Sequence, residues 1–489
     1  MIYINRHEVV LDQEERLEPW ASYDHVVWLA MDFIRHCPSD PRNGLPWYLQ
    51  YSCFWTDPLR PTIWPDNPAG KAAWAVTTLM RYYPYSGERI YIDIVRTMLD
   101  RLIAYHTPEA WVWGGVPYAS AEPGTGVYFG ARADGAGVVE PDKIAQAACA
   151  YVDFYKLTGE ETYLASAIRC ADVLASQMRP GDASHSPWPF RVEARNGTVV
   201  EEYTSDIVQM VRLFEALVSL GQTQYEKPRY TAWDWVLRYP MRTGIWKGYF
   251  EDIRLDPDNQ NRDQLSPLET ARYILSHREM DPAWREHVPY LIEWVREHLG
   301  ARPFFDAVAI HEQLFCYHVM GSHTARYASL CALWAEASGD MSYKERAQRS
   351  FNWATYMANE DGTVTVGIDR PDYDNQCWFT DGYFDFVPHF LEGMAACPEW
   401  APAHEDHLLR STSVVREVRY APLSIAYRTF DAKASEVLRL TFEPLRVCSA
   451  GDMLPRCEAL GPDAGWTFEP ASGVLRVYHT APEVEILGR

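Results

Sequence analysis

Carboxylic acids near the starts of predicted helices are the strongest candidates for chemistry in this chain. Asp206 and Asp381 each lie one residue after a possible helix cap, Ser205 or Thr380. A carboxylate in the first turn of a helix commonly does no more than stabilise the positive end of the helix dipole. Two such groups brought together could also act as proton donor and acceptor, which is what cleavage of a glycosidic bond requires. The predicted catalytic carboxylates are Asp206 and Asp381, followed by Asp142, Glu251 and Asp263.

Aromatic and charged residues recur in the same connecting segments. The chain contains 19 Trp, 30 Tyr and 18 Phe beside 67 Asp and Glu. Sugar rings stack their apolar faces on aromatic side chains, and their hydroxyl groups take charge-assisted hydrogen bonds. The predicted substrate-binding residues are Trp113, Trp188, Arg191, Tyr203, Trp246, Lys247, Arg262, His323, Trp378 and Tyr383. This combination favours a carbohydrate ligand.

Histidines allow a second kind of chemistry. His311 and His318 could carry protons because histidine titrates near neutral pH. A lyase would use His or Tyr to remove the proton beside a uronate carboxyl group. The histidines lack a recognised metal-ligand spacing, and residues 256–261 lack the glycine and the distal glutamate of a calcium loop. The sequence therefore predicts no metal and no cofactor.

Charge and composition exclude several classes of protein. The net charge of −22 is unfavourable for binding nucleic acid or an anionic membrane surface. No run of about 18 apolar residues is present, and the first residues do not have the order of a signal peptide. The ten cysteines show no regular spacing, as expected for reduced thiols. These features predict a cytoplasmic protein, and they leave its oligomeric state open.

A repeated turn motif indicates helical hairpins. The pattern (S/T)-G-(E/D)-x-x-Y occurs at 86–91, 158–163 and 338–343, each time between segments with apolar residues at helical spacing. The glycine can end one helix in the left-handed conformation, and the acidic residue suits the start of the next. The predicted helices are 23–36, 70–82, 88–105, 143–157, 161–178, 205–220, 228–238, 266–278, 281–299, 322–337, 341–357 and 380–396. Five hairpins with an unpaired first and last helix predict a closed double ring, the (α/α)6 toroid.

The connections between hairpins are long and are expected to emerge on one face of the ring, where long loops are usually functional. One of them contains Asn196-Gly197 between alternating residues, which predicts a β-hairpin. After residue 410 apolar residues alternate with polar ones, as in Leu423, Ile425 and Tyr427. We therefore expect a helical toroid at 1–409 and a small antiparallel β module at 410–489.

Residues 20–400 resemble the six-hairpin glycosidase superfamily, whose hairpins often carry a turn like Thr158-Gly159-Glu160-Glu161-Thr162-Tyr163. Within it the chain most resembles the unsaturated glucuronyl hydrolases, which use aspartates near the starts of inner helices. That resemblance implies catalytic roles for Asp206 and Asp381. The ring also resembles polysaccharide lyases and sugar epimerases, which use His and Tyr.

The sequence predicts a glycoside hydrolase that uses carboxyl groups as general acid and base. Its expected substrate is an oligosaccharide, with uronic acid as the favoured component. The net charge favours short oligosaccharides over long polyanions. The alternatives are a lyase that uses His or Tyr at a uronate, and a carbohydrate-binding protein without catalytic activity.

Overall fold

The computed structural model describes residues 1–42, 44, 46–47, 52–56, 60–64, 68–119, 137–250, 256, 258–301, 304–365, 377–378 and 384–489. Its helices are α1 (Tyr23–His36), α2 (Pro68–Ser86), α3 (Ile90–Ala104), α4 (Pro141–Thr158), α5 (Glu161–Ser176), α6 (Val208–Ser219), α7 (Glu226–Arg238), the short α8 (Pro240–Thr243), α9 (Leu265–Ser276), α10 (Trp284–Leu299), α11 (Gly321–Ser338), α12 (Met341–Thr355) and α13 (Val387–Ala396). The helices predicted from periodicity are confirmed, with ends that differ by a few residues. The predicted start of the last helix, at 380–383, lies outside the described residues.

Six helices form a closed inner ring. Each of α2, α4, α6, α9, α11 and α13 packs against the next in this order, and α13 packs against α2. The outer helices α3, α5, α7, α10 and α12 pair with the inner helix that precedes them, while α1 pairs with α13. The fold is therefore the expected (α/α)6 toroid, and the unpaired first and last helices close it. None of the described helices is both long and apolar enough to cross a membrane.

The repeated turn has a visible structural role. Gly159 and Gly339 end α4 and α11 with φ values of 79° and 80°, a conformation that L side chains rarely adopt. The tyrosine of the repeat reaches back to the preceding outer helix. Tyr163 donates a hydrogen bond of 2.7 Å to Asp100 on α3, and Tyr343 donates one of 2.9 Å to Glu293 on α10. The motif thus joins neighbouring hairpins, and it marks architecture only.

Short strands stiffen the connections on the face where the inner helices begin. They are β1 (Tyr3–Ile4), β2 (His7–Glu8), β3 (Ser52–Thr56), β4 (Arg60–Trp64), β5 (Val138–Val139), β6 (Arg191–Glu193), β7 (Val199–Glu201), β8 (Ile310–His311), β9 (Val319–Met320) and β10 (Cys377–Trp378). β6 and β7 are antiparallel, with Gly197 at φ 78° between them. This confirms the β-hairpin predicted at Asn196-Gly197.

The C-terminal region is an antiparallel β module. Its strands are β11 (His407–Ser411), β12 (Val415–Ala421), β13 (Ser424–Thr429), β14 (Ala434–Arg439), β15 (Pro444–Ser449), β16 (Asp452–Met453), β17 (Gly465–Glu469), β18 (Val474–His479) and β19 (Glu483–Gly488). They form a four-stranded sheet in the order β11-β14-β18-β17 and a five-stranded sheet in the order β12-β13-β19-β15-β16. Ile425 and Tyr427 are buried as the alternation predicts. The expectation for Leu423 is wrong, because it lies in the turn before β13 with φ 57° and is exposed.

The β module packs on the ring end where the inner helices finish. The His407 ring stacks on Tyr85 at the end of α2, with centroids 3.8 Å apart. Tyr420 donates a hydrogen bond of 2.5 Å to the Pro84 carbonyl. Arg416 Nε donates one of 2.6 Å to the Lys156 carbonyl on α4. The division of the chain at 409/410 stays a prediction, and strand β11 spans it.

Candidate active site at the starts of the inner helices

Buried polar side chains gather where the inner helices begin. Burying a charged group is costly unless it is paired, so a group of them marks a site with a purpose beyond packing. These buried residues are Asp142, Lys143, Gln146, Asp206, Gln209, Asp263, Gln264, Glu269, His323, Arg326, Asp385 and His389. They come from the first two turns of α4, α6, α9, α11 and α13 or from the residues just before these helices. The ring thus brings together groups separated by up to 247 positions of the chain.

Asp206 is the most perturbed carboxyl group of this centre. Burial raises the pKa of Asp206 well above its usual value, and the nearby carboxylates of Asp142 and Asp263 raise it further. Gln209 Nε2 donates a hydrogen bond of 3.2 Å to Asp206 Oδ1. Asp206 Oδ2 is buried without a hydrogen-bond partner among the described residues. These surroundings therefore favour the protonated form of Asp206.

Asp142 is held differently from Asp206. Burial raises the pKa of Asp142, but Lys143 Nζ lies 3.3 Å from its Oδ2 and favours the ionised form. The same ammonium group donates a hydrogen bond of 2.6 Å to the Tyr249 carbonyl and lies 3.2 Å from the centre of the Tyr249 ring. Lys143 is thus placed to stabilise one negative charge shared by Asp142 and Asp206.

Asp263 lies just before α9 and caps it. The backbone N–H of Ser266 donates to Asp263 Oδ1 at 2.8 Å, and the Ser266 hydroxyl donates to Oδ2 at 3.1 Å. Burial raises the pKa of Asp263 to about 6 in spite of these bonds. Its two oxygens are engaged with Ser266, which makes Asp263 a weaker candidate for direct catalysis than Asp206.

A second cluster of titratable side chains is formed by His323 on α11, Asp385 just before α13 and His389 on α13. His389 Nε2 is 3.2 Å from Asp385 Oδ1, and His323 Nε2 is 4.0 Å from Asp385 Oδ2. Arg326 forms an ion pair with the same carboxylate. Burial lowers the pKa of both histidines well below the usual value, and Arg326 lowers it further. Both imidazole rings are therefore neutral at physiological pH.

Glu269 on α9 forms ion pairs with several arginines. Arg212 donates to Glu269 Oε2 at 2.8 Å and Arg272 to Oε1 at 2.5 Å. Although burial opposes ionisation, the guanidinium groups of Arg272, Arg212 and Arg326 lower the pKa of Glu269 to about 2. Glu269 is thus a permanently charged structural anchor.

Three of the predicted sugar-stacking residues belong to the core. Trp113, Trp188 and Trp246 are buried in the main hydrophobic cluster. The indole of Trp188 donates a hydrogen bond of 2.8 Å to the Leu174 carbonyl on α5. These tryptophans offer no exposed face to a sugar ring in this structure, and their role as stacking platforms stays a prediction that their burial argues against.

Three predicted polar ligands of the substrate have internal partners. Arg191 Nε lies 2.8 Å from Glu140 Oε1, and both side chains are buried. Lys247 Nζ lies 3.1 Å from Asp256 Oδ2. The Tyr203 hydroxyl donates to the Ile245 carbonyl at 3.1 Å. These contacts hold the loops that carry the site.

The loop of Lys247 also positions Asp206. The Ser205 backbone N–H donates to the Lys247 carbonyl, and the Lys247 backbone N–H donates to Ser205 Oγ, both at 2.8 Å. These reciprocal bonds fix the residue just before Asp206. Ser205 is therefore placed to hold the candidate acid in position.

The remaining predicted residues are spread over the same face. His311 lies in β8 and stacks on Tyr317 with centroids 3.5 Å apart, while His318 immediately precedes β9. Arg262 directly precedes Asp263 and donates to the carbonyl groups of Asn259 and Asn261. The predicted Glu251, Asp381 and Tyr383, and the side chain of Trp378, lie outside the described residues.

Eight residues of the centre were not predicted from the sequence: Lys143, Gln146, Gln209, Gln264, Glu269, Arg326, Asp385 and His389. A usable signal was present, because Asp385 and His389 are four residues apart and share one helical face. His323 and Arg326 are three apart on α11, which is otherwise rich in small and apolar residues. Among the residues that the structure describes, no group of three or more His, Cys, Asp or Glu side chains could hold a metal ion.

No protein-family model and no curated protein matches the chain by sequence. Solved structures match its fold. A D-mannose isomerase superimposes with a TM-score of 0.58 at 12% identity, covering 76% of this chain and 97% of the other. A sugar epimerase from a ruminal bacterium gives 0.56 at 11% identity, covering 76% and 98%. A family 76 glycoside hydrolase from a bovine Bacteroides thetaiotaomicron strain gives 0.52 at 11% identity, covering 78% of each chain.

The chain shares its (α/α)6 toroid fold with these proteins. Sequence identity of 11–12% shows shared architecture and says nothing of a shared reaction. Function must therefore be argued from the buried groups at the centre of the ring.

Proposed function

We propose that this protein is a carbohydrate-processing enzyme, and specifically a glycoside hydrolase that acts on an oligosaccharide. The observation that carries the proposal is the environment of Asp206. It is a buried carboxyl group with a pKa raised well above its usual value beside a second carboxyl group, Asp142. Acid catalysis of glycoside cleavage needs one carboxyl group that keeps its proton while its partner is ionised.

The two groups take different roles in this proposal. Asp206 donates its proton to the oxygen of the leaving sugar. Asp142 is the ionised partner, because Lys143 lies 3.3 Å from its Oδ2 and stabilises the negative charge. Asp381 and Glu251 remain further candidates from the sequence.

Isotope labelling with a panel of short glycans tests this reaction. In water enriched in ¹⁸O, a hydrolase adds one labelled oxygen for each bond cleaved, at the anomeric carbon of the new reducing end, and mass spectrometry of the freshly formed product detects it. Asp206→Asn is expected to lower kcat/KM by about 10²–10⁴-fold, because loss of a positioned general acid has an effect of this order. The matched control is Asp93→Asn, which changes an exposed aspartate on α3.

Unchanged turnover in the Asp206→Asn protein would show that Asp206 is not the acid. If several glycans bind and none is ever cleaved or isomerised, the protein is a carbohydrate-binding protein without activity.

A second candidate reaction follows from the histidines. His323 and His389 are neutral, buried and within reach of one carboxylate, Asp385, which is a suitable arrangement for removing a proton from carbon in an epimerase or a lyase. Reaction in D₂O discriminates between these enzymes and the hydrolase. Deuterium on a sugar carbon would indicate an epimerase, and a new unsaturated product that absorbs in the near ultraviolet would indicate a lyase.

A further inference from the structure

A pocket on the face of the candidate active site has an unusual set of polar groups. Its cavity volume is about 490 Å³, large enough for a small ligand. It lies between α10, the end of α8 and the segment 260–262. The lining residues are Arg242, Thr243, Gly244, Gln260, Arg262, Tyr290, Trp294, His298 and Leu314. No carboxylate is among these lining residues, although the chain as a whole has a net charge of −22.

Two arginines present unused hydrogen-bond donors to this pocket. Arg242 is exposed and has no ion pair among the described residues. Arg262 uses Nη1 for two backbone carbonyl groups, and its Nε and Nη2 have no partner in the described part of the chain. Asp256 and Asp263 interact electrostatically with Arg262, and Glu297 with Tyr290, but none of these three acids lines the pocket. Asp256 is already paired with Lys247, and Asp263 is bonded to Ser266.

A buried tryptophan points its one polar atom at the same place. Trp294 is 6% exposed as a whole, and its indole N–H is accessible from the pocket and has no protein hydrogen-bond partner among the described residues. Gly244 has no side chain to cover this N–H, since a Cβ there would lie 3.3 Å from Trp294 Nε1 and 3.7 Å from the Tyr290 hydroxyl. The indole N–H is thus a further hydrogen-bond donor that the wall of the pocket offers to a ligand.

The pocket is joined to the candidate active site through one short segment. Asp263 forms an antiparallel bridge with Gln313, and the Leu314 backbone N–H donates to the Arg262 carbonyl at 3.0 Å. Successive residues of an extended chain point to opposite sides. Asp263 therefore faces the centre of the ring while Arg262 faces the pocket, on adjacent residues whose Cα atoms are about 3.8 Å apart.

We propose that this pocket binds the anionic group, a carboxylate or a sulfate ester, of a sugar unit distant from the bond that is cleaved. Guanidinium groups match the planar shape of a carboxylate and also bind sulfate oxygens, and the indole N–H completes a set of donors. The exposed Tyr290 ring and Leu314 provide apolar surface for the sugar itself. The pocket thus selects acidic oligosaccharides. This inference rests on the proposed function for its link to cleavage, but not for binding itself.

Calorimetric titration tests the binding directly. The probes are short oligosaccharides that are identical except for one end unit, which is a glucuronate, a glucose 6-sulfate or a glucose. Titrations use the Asp206→Asn protein so that no probe is consumed. The glucuronate probe or the sulfated probe should bind at least about tenfold more tightly than the neutral probe. Which of the two binds more tightly identifies the acidic group.

Arginine substitutions then locate the site. Arg262→Gln and Arg242→Gln should each lower the affinity for the acidic probe by about tenfold and leave the affinity for the neutral probe unchanged. The control is Arg238→Gln, since Arg238 lies on α7 outside the pocket and pairs with Asp234 at 2.9 Å. Arg242 is exposed, so its substitution tests binding even where Arg262→Gln affects the loop.

Two results would overturn the inference. The first is that the acidic probes bind no more tightly than the neutral probe. The second is that Arg262→Gln and Arg242→Gln bind the acidic probes as tightly as Arg238→Gln does. Failure of the proposed function looks different. In that case the pocket variants lose affinity for acidic probes as expected, while the wild-type protein cleaves none of them.

Discussion

The same chemical group behaves in opposite ways at two positions of the ring. Asp206 is buried and lies near other carboxylates, and both effects raise its pKa. Glu269 is equally buried but surrounded by arginines, which lower its pKa to about 2. The difference is set by the neighbouring charges, and it separates a candidate acid from a structural anchor.

Asp206→Asn should stabilise the protein while it removes activity. A carboxyl group with a raised pKa in the folded state destabilises the fold once pH exceeds its pKa in the unfolded chain, because the folded state resists losing the proton. Asparagine has nearly the same shape and carries no charge. We expect a rise in Tm of about 1–3 °C at pH 7 that shrinks as pH falls towards about 4.

Glu269→Gln is the comparison, and it should act in the opposite direction. Its low pKa in the folded state stabilises the fold above pH 4.5, and this contribution is lost as pH falls towards 2. Removing the charge leaves Arg272 and Arg212 without their shared carboxylate, at a cost of about 3 kcal/mol. Thermal unfolding of both variants at pH 7 measures the contrast. Equal shifts of the two Tm values in one direction would contradict this account.

At the scale of elements, the β module contains a buried charged group of its own. Glu436 on β14 lies 3.1 Å from His479 Nε2 on β18 and accepts a hydrogen bond of 2.9 Å from Tyr427 on β13. Although burial opposes protonation, the hydrogen bond and charge of Glu436 raise the pKa of His479 above its usual value. These contacts link the two sheets of the module across their interface.

His479→Gln should lower the stability of the β module. The paired, protonated histidine stabilises the fold fully below pH 6.5, and this contribution is lost as pH rises through the raised pKa of the folded state. Removing one partner of a buried pair costs about 3–5 kcal/mol. Thermal unfolding should therefore show a larger loss of Tm at pH 6 than at pH 9. The exposed His404 provides the control as His404→Gln, and a similar loss there, or a loss independent of pH, would contradict the prediction.

At the scale of the whole molecule, closure of the ring depends on contacts between the two ends of the toroid. α13 packs between α2 and α1, and the β module that follows covers the last turn of α2. Tyr83 and Tyr85 are buried at this junction. The module thus contributes to the hydrophobic core of the ring.

A chain that ends at residue 403 should therefore be less stable than the complete chain. It keeps all the ring helices but exposes Tyr83 and Tyr85 and loses the bonds from Tyr420 and Arg416. We expect a lower Tm and partial aggregation in size-exclusion chromatography, because newly exposed apolar surface promotes association. A shortened chain with the Tm of the complete protein would instead show that 410–489 folds as a separate domain.

The sequence by itself determined the helices, the ring and the β module. Helical spacing of apolar residues, left-handed glycines such as Gly159 and the alternation near Ile425 are local signals, and the number of hairpins leaves ring closure as the way to bury the first and last helix. It also placed Asp142, Asp206 and Asp263 at or just before predicted helices, where the structure has them, and their catalytic roles stay predictions.

Only the tertiary structure decided which of these groups are buried and which neighbours they have. Trp188 and Arg191 have the right types for binding sugar, but they are engaged with Leu174 and Glu140 in the interior. Asp206 became a candidate acid through Asp142, a residue 64 positions earlier in the chain. The burial and the pKa of a side chain depend on neighbours that the folded ring brings together, and these neighbours cannot be read from spacing along the sequence.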